Sequence, residues 1–321
     1  MMKRIAIITT GGTIASKKNE SGRLVSGAMK SEEYCHLPGL DPSIEVTVVP
    51  LINKPSMHIT IGDLDQIRTE IETLFDRGFD GAVVTHGTDS LEESAYYLDL
   101  TISCDQPVVV TGSQRSSSAS GSDADTNLLQ SVCAASSDKL KGTGTVVLFN
   151  ERIFSAKYVK KEHAYNLQGF ESFGYGHLGT VDGQRVNLYQ RPAEREIYPT
   201  VTKEVPRVEI IKSYLDADRT MIDACIANRI QGLVLEANGR GQIAPGQMEA
   251  VIDALKEGIE IVLTTSSEQG RVDTTYDYYA SAHHLKEAGV LLGSDMNAKK
   301  ARLKLIAVLR SEKSVKEAFT D

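Results

Sequence analysis

The stretch Arg4-Ile5-Ala6-Ile7-Ile8-Thr9-Thr10-Gly11-Gly12-Thr13-Ile14-Ala15-Ser16 decides the fold and marks where chemistry is expected. Ile5 to Ile8 is a short, unbroken apolar run rich in β-branched residues, the pattern of a strand buried on both faces of a parallel sheet. It stops at Thr9. Beyond it, Thr9, Thr10 and Thr13 surround Gly11 and Gly12, which tolerate positive φ and bring bare backbone N–H groups close to a ligand. Such a turn can meet an anion or a carbonyl. It can equally be a plain glycine turn whose threonines cap the next segment.

The same pattern recurs along the chain. Ser43 to Val49 reads as a strand ending at Pro50, followed by the polar turn Asn53 to His58 and a helix with Asp63 as N-cap and Gly78 as its stop. Gly81 to Val84 reads as a strand ending in Thr85-His86-Gly87-Thr88-Asp89-Ser90. The helix after it is expected to open with a capping box of Ser90 and Glu93 and to bury Leu91, Ala95, Leu98 and Ile102. Pro107 to Val110 leads into Thr111-Gly112-Ser113-Gln114-Arg115 and a helix over Asp125 to Ser136. Thr145 to Phe149 leads into Asn150-Glu151-Arg152. In a parallel sheet every strand's carboxyl end lies on one rim, so these turns should converge on one crevice, with a helix N-terminus favouring negative charge there.

From Ile153 to Tyr189 the helical rhythm gives way to a glycine-punctuated, irregular or hairpin segment. The expected organisation is α/β: a large doubly wound, mainly parallel-sheet N-terminal domain over 1–190, a Pro-rich and charged linker over 191–206, and a smaller α/β domain over 207–321 with a last helix starting near Asn297.

Composition narrows the function classes. The 321 residues carry 35 basic and 43 acidic side chains for a net charge of −8, which excludes an electrostatic footprint for nucleic acid. Cys35, Cys104, Cys133 and Cys225 are widely spaced, so neither a metal site nor a redox pair is expected. The apolar run after Lys3 and Arg4 is too short for a signal-peptide core, and no segment reaches the length of a membrane span. The expectation is a cytoplasmic enzyme acting on small molecules, without membrane partners.

Taken together, Thr10-Gly11-Gly12-Thr13-Ile14-Ala15-Ser16 and Val84-Thr85-His86-Gly87-Thr88-Asp89-Ser90-Leu91-Glu92-Glu93-Ser94-Ala95 closely resemble the bacterial L-asparaginase/glutaminase family. The likeness continues through Thr111-Gly112-Ser113, Ser122-Asp123-Ala124-Asp125 with Asn127, Val159-Lys160-Lys161, Tyr175-Gly176-His177-Leu178-Gly179 and Asn297-Ala298-Lys299-Lys300-Ala301-Arg302, so it covers nearly the whole chain. The resemblance implies cofactor-free and metal-free hydrolysis of a small amide by a homo-oligomer, a dimer or a tetramer built from tight dimers, with sites near subunit interfaces. It implies Thr13 as nucleophile, an acyl-enzyme, and Thr88, Asp89 and Lys161 as the second catalytic group. Gly12, Ser56, Met57, Gly87 and Asp89 would surround the substrate, Ser56 and Asp89 gripping its α-carboxylate and α-amino groups.

The chemistry agrees with that assignment. A threonine hydroxyl is a poor nucleophile at neutral pH and needs a neighbouring base or charge. Backbone N–H groups at Gly12 and around Thr88 are candidate oxyanion donors. Taken alone, Lys161 beside Lys160 reads as a solvated charge, Ser56 after Pro55 as a turn residue, and His86 as a histidine bonding backbone rather than a catalyst.

The chain also departs from the family pattern. Ser16 to Met29 lacks the tyrosine that closes over the nucleophile, with Leu24 its nearest counterpart. Met57 stands where the family carries glutamine or glutamate. The acidic residue lent by a neighbouring subunit has no match before Leu285; Thr274 to Tyr279, an aromatic cluster, stands there and is expected to approach another subunit's crevice. Free L-asparagine, converted to L-aspartate and ammonia, is the leading substrate. A larger N-substituted or α-modified asparagine or glutamine amide is the alternative, and a noncatalytic small-molecule binder a third. A dinucleotide site is disfavoured because Gly11-Gly12 lacks the G-x-G-x-x-G spacing.

Overall fold

The computed structural model describes residues 2–15, 17–18, 21, 24–25, 37–193 and 195–320, with 15, 17–18 and 24–25 described in backbone only. The expectations for Cys35 and for the tyrosine-free segment after Ala15 lie outside the described residues, apart from two short paired strands, β2 (Lys17–Lys18) and β3 (Leu24–Val25). The chain divides into two compact α/β units, Met1–Ile197 and Tyr198–Asp321.

The first unit is organised around β1 (Lys3–Thr9), whose last five residues are buried. It lies between β4 (Ile44–Pro50) and β5 (Gly81–Thr85), parallel to both. β6 (Val108–Thr111) and β7 (Thr145–Phe149) extend the parallel sheet. The sheet then turns antiparallel through β8 (Arg152–Ser155), β11 (Gly179–Asp182) and β12 (Arg185–Leu188), giving the order β12-β11-β8-β7-β6-β5-β1-β4. Between β8 and β11 the chain forms the two-residue strands β9 (Lys160–Lys161) and β10 (Phe170–Glu171), which pair with each other. Thr9 is in register with Thr85, and Thr85 with Thr111, so three threonines end three adjacent strands in one row.

Three helices connect the parallel strands: α1 (Ile61–Asp76), α2 (Leu91–Thr101) and α3 (Ala124–Ser136). The cap of α1 is Thr60 rather than Asp63. Asp63 sits three residues in, its amide bonding the Thr60 hydroxyl while its carboxylate accepts the Thr60 N–H, so the capping box lies one turn earlier than the apolar periodicity suggested. Beyond its other end Gly78 takes φ +83°, and the Gly78 and Phe79 amides bond the carbonyls of Phe75 and Leu74 in a Schellman arrangement.

α3 packs Leu128, Val132, Ala134 and Ala135 onto the sheet face that carries Ile5, Ile7, Val83, Val109 and Val146. α2 packs on β6 and β7 outside that cluster, on the opposite face, with α1 against it. The β5-α2-β6 and β6-α3-β7 crossovers step the same way across the sheet but pass over opposite faces, so they have opposite hands. One of them therefore departs from the usual right-handed rule.

The second unit is a four-stranded parallel sheet, β13 (Val208–Lys212), β14 (Gly232–Ala237), β15 (Glu260–Thr265) and β16 (Leu291–Leu292), in that order. α4 (Thr220–Ala227), α5 (Met248–Lys256) and α6 (Ala282–Ala288) contribute to one buried cluster with Leu233, Leu235, Ile261 and Leu263. α7 (Ala298–Leu309), capped by the Asn297 side chain, lies against β13, β14 and β15, and the four-residue α8 (Val315–Ala318) comes after it.

α3 comes close to the sheet at Gly81, where an added Cβ would lie 2.2 Å from the Ala135 carbonyl oxygen. Gly81→Ala must push α3 off the sheet and should cost about 1–3 kcal/mol of stability, read by urea denaturation. Unchanged stability would mean that α3 is free to withdraw.

Candidate active site

The loops that leave β1, β4, β5 and β6 meet at positions without side chains. Gly12, at φ +86°, lies against Gly87: an added Cβ would be 2.4 Å from the Gly87 nitrogen and 2.6 Å from its Cα. A Cβ on Gly87 would in turn lie 2.9 Å from Ser56 Cβ, and one on Gly112 would lie 2.4 Å from the His86 carbonyl oxygen. Hydrogen bonds tie the same loops. The Thr10 hydroxyl donates to Thr85 O at 2.8 Å, the Ser90 hydroxyl to Ser56 O at 2.7 Å, and the His86 amide to Thr111 O at 2.8 Å. Thr13 and Thr88 directly follow the two touching glycines, which bounds their Cα separation at about 12 Å.

Lys161 reaches this rim from β9, outside the parallel strands. Its Nζ donates to Thr88 Oγ1 at 2.8 Å and pairs with Asp89 Oδ1 at 2.7 Å. Thr88 is buried, whereas the Asp89 side chain is 65 % exposed. The backbone of Lys161 is fixed from below: its amide donates to the carboxylate of Glu92, a buried residue in the first turn of α2. On its other side the Thr88 hydroxyl donates to Gln114 Oε1 at 3.4 Å, and Gln114 Nε2 donates to His163 O at 3.1 Å. Gly169 leaves room for that amide, since a Cβ there would lie 2.1 Å from Gln114 Nε2.

Asp123 and Asn127, at the start of α3, set the β6 loop. The Asp123 carboxylate accepts the Gln114 and Arg115 amides, both at 3.0 Å, and Asn127 Nδ2 donates to Gly112 O at 3.0 Å. Thr13 is half-buried in a 3-10 turn over Thr13–Ala15. Ser56 is buried at the head of a second 3-10 turn over Ser56–His58, whose next residue, Met57, is 67 % exposed. The structure thus gathers Gly12, Ser56, Gly87, Thr88, Asp89 and Lys161 around one strand-end rim. Met57 stands beside it with its side chain turned outward.

Two local expectations are corrected by this geometry. Ser90 occupies the N-cap of α2 but makes no side-chain cap bond, because its hydroxyl is used to hold the Ser56 carbonyl. Asn150-Glu151 is not a fourth rim turn of the same kind; with φ +48° and +66° it is the two-residue hairpin joining β7 to β8. Sequence reasoning gave no role to Glu92, Gln114 or Asp123. Glu92 lies in the first turn of α2, where an acid is ordinarily explained by the helix N-terminus, so nothing in the sequence marked it as buried. Nothing local marked Gln114.

His86 is fully buried, and its Nδ1 lies 2.8 Å from Gly87 O while Nε2 lies 2.9 Å from Ser94 Oγ. Burial pulls its pKa below the ordinary 6.5, against the opposing effect of the Gly87 bond. Among the described residues no three His, Cys, Asp or Glu side chains gather as a metal ion requires, and no helix is long and apolar enough to cross a membrane. Because the unfolded imidazole titrates near 6.5, the stability associated with neutral His86 is fully present above about pH 6.5 and is lost as pH falls below it. His86→Asn should therefore flatten the acid side of the stability–pH curve by up to about one proton's slope, measured by urea denaturation across pH. An unchanged slope would mean that the ring protonates in place.

Known proteins match the chain over nearly its whole length. Residues 4–194 match the family model described as "Asparaginase, N-terminal", and residues 207–319 match "Glutaminase/Asparaginase C-terminal domain". The chain is 50% identical over 321 residues to an L-asparaginase of Bacillus licheniformis, covering 99% of both chains. It is 34% identical to a probable L-asparaginase of Deinococcus radiodurans, covering 99% of this chain and 98% of that one. The crystal structure of a probable cytoplasmic L-asparaginase from Campylobacter jejuni superposes with a TM-score of 0.89 at 30% identity, over 99% of each chain. Two matched domains, a shared fold and a half-identical full-length relative place this chain in the asparaginase family.

Proposed function

We propose that this protein hydrolyses the side-chain amide of L-asparagine to L-aspartate and ammonia. The observation that carries the reading is Lys161 Nζ, 2.8 Å from Thr88 Oγ1 and 2.7 Å from Asp89 Oδ1, in a chain half-identical to an L-asparaginase. In this mechanism the Thr13 hydroxyl attacks the amide carbon, the amide nitrogen leaves as ammonia with the hydroxyl's proton, and an aspartyl ester forms on Thr13. Water then cleaves the ester to give L-aspartate and the free hydroxyl. Thr88, polarised by Lys161 and Asp89, eases deprotonation of the attacking group. Backbone N–H groups at Gly12 and Thr88 stabilise the tetrahedral oxyanion. Ser56 and Asp89 hold the α-carboxylate and α-ammonium. The active unit in this reading is a dimer or tetramer, to which the exposed Tyr276, Tyr278 and Tyr279 of a second copy would contribute.

A second reading, a larger or N-substituted amide, is favoured by Met57. An exposed thioether offers no acceptor to an α-ammonium group but packs well on added carbon.

Ammonia release from asparagine, glutamine, their D-forms and N-substituted amides tests the proposal. Thr13→Ala should leave no measurable turnover, Thr88→Val should be nearly as inactive, and Lys161→Met should lose turnover with substrate binding retained. Either threonine variant working near the wild-type rate would refute the two-threonine mechanism. Losing one acceptor for a buried ammonium costs on the order of 1–3 kcal/mol, so asparagine should bind roughly ten- to a hundredfold more weakly than in a site with a polar residue at 57. Met57→Gln should lower KM for asparagine accordingly. Efficient wild-type turnover at low KM with no gain from Met57→Gln would make this departure silent.

A further inference from the structure

The geometry points to His86 as a positioning residue that aims the Thr88 backbone N–H at the oxyanion formed during amide hydrolysis, an inference that rests on the function proposed above. His86 touches no substrate: its ring is fully buried behind the loop, between Gly87 and α2. Its bonding fixes its tautomer. A backbone carbonyl can only accept, so the 2.8 Å contact with Gly87 O requires the proton on Nδ1. In the neutral ring Nε2 is then an acceptor, and it takes the Ser94 hydroxyl at 2.9 Å. Burial favours this neutral form.

The consequence runs through one peptide plane. The Gly87–Thr88 peptide is trans and planar, so its C=O and N–H point in opposite directions. Holding Gly87 O inward on the His86 ring turns the Thr88 N–H outward, away from the core. That N–H makes no hydrogen bond among the described residues, although Thr88 itself is buried. A donor without a protein partner at the edge of the site is open to a developing oxyanion. The ring is also braced along its own backbone, by the His86 amide on Thr111 O at 2.8 Å and by Gly112 pressed on the His86 carbonyl. Gly87, which otherwise rotates freely, is thereby held by its carbonyl as well as by Gly12 and Ser56.

Steady-state kinetics and ¹⁵N spectroscopy of the histidine rings test this together. In the full-length enzyme, His86 should show a neutral Nδ1–H ring at about pH 7. An Nε2–H tautomer, or a protonated ring at that pH, overturns the proposal whatever the substrate proves to be. With asparagine, His86→Leu should lower kcat roughly tenfold with KM within about twofold, as expected for a donor misaimed only in the transition state. His86→Asn, whose side-chain N–H sits near the Nδ1 position, should return kcat to within about threefold of wild type. Unchanged kcat in His86→Leu, a KM effect without a kcat effect, or equal losses in both variants overturns the assignment. Should His86→Leu fail to fold, Ser94→Ala takes its place: a few-fold fall in kcat at constant KM supports the relay, and full activity overturns it. If the wild type releases no ammonia from any amide tested, the functional reading fails, and the tautomer alone decides for or against His86.

Discussion

The contact between Gly12 and Gly87 is the constraint on which the rest of the site depends. Two loops that leave neighbouring parallel strands approach to a distance that admits no side chain on either, with Ser56 filling the third side. The fold makes this approach possible by ending β1, β5 and β6 in register, so that their threonines form a row from which the loops spring together. Any side chain at Gly12 would both clash with Gly87 and have to adopt φ +86°, a conformation that L-residues rarely take. The glycines are thus a steric requirement of convergence, and the hydroxyls beside them are placed by it.

Much of this was legible in the chain itself. An apolar β-branched run leading into glycine and threonine is read the same way at β1 and β5, because burial on both faces fixes the run and the need for unusual φ fixes the glycines after it. The rule that strand ends share a rim did the rest. It misread Asn150, since a run of the same composition can lead into a tight hairpin as readily as into a crossover, and only the positive φ of two consecutive residues separates the two. It also misassigned the Ser90 hydroxyl. A serine at an N-cap has a local use and a long-range one, and the Ser56 carbonyl 34 residues earlier in the chain competes successfully for it.

What sequence could not supply was the second ring of support. Lys161 lies on a two-residue strand whose position depends on the buried Glu92 carboxylate and on pairing with Phe170, neither of which leaves a periodic trace. Gln114 is set by the Asp123 carboxylate holding its amide and by the absent side chain of Gly169. These are contacts between segments far apart in the chain, made by ordinary residue types, and their meaning exists only once the fold has formed. The resemblance to a family lifted Lys161 out of that group. Gln114 and Glu92 had no such help.

The opposite hands of the β5-α2-β6 and β6-α3-β7 crossovers shape the way into the site. Where two adjacent parallel strands send their next helices to the same face, their loops run side by side and close the rim. In this protein the chain leaving β5 heads for one face and the chain leaving β6 for the other, so the two loops part like opened scissors directly above adjacent strands. Thr88 stands on one blade and Gln114 on the other, linked by the 3.4 Å contact between their side chains. The topological exception thus sends the chain that carries Thr88 and the chain that carries Gln114 to opposite faces of the sheet, and the contact between those two side chains spans the divergence.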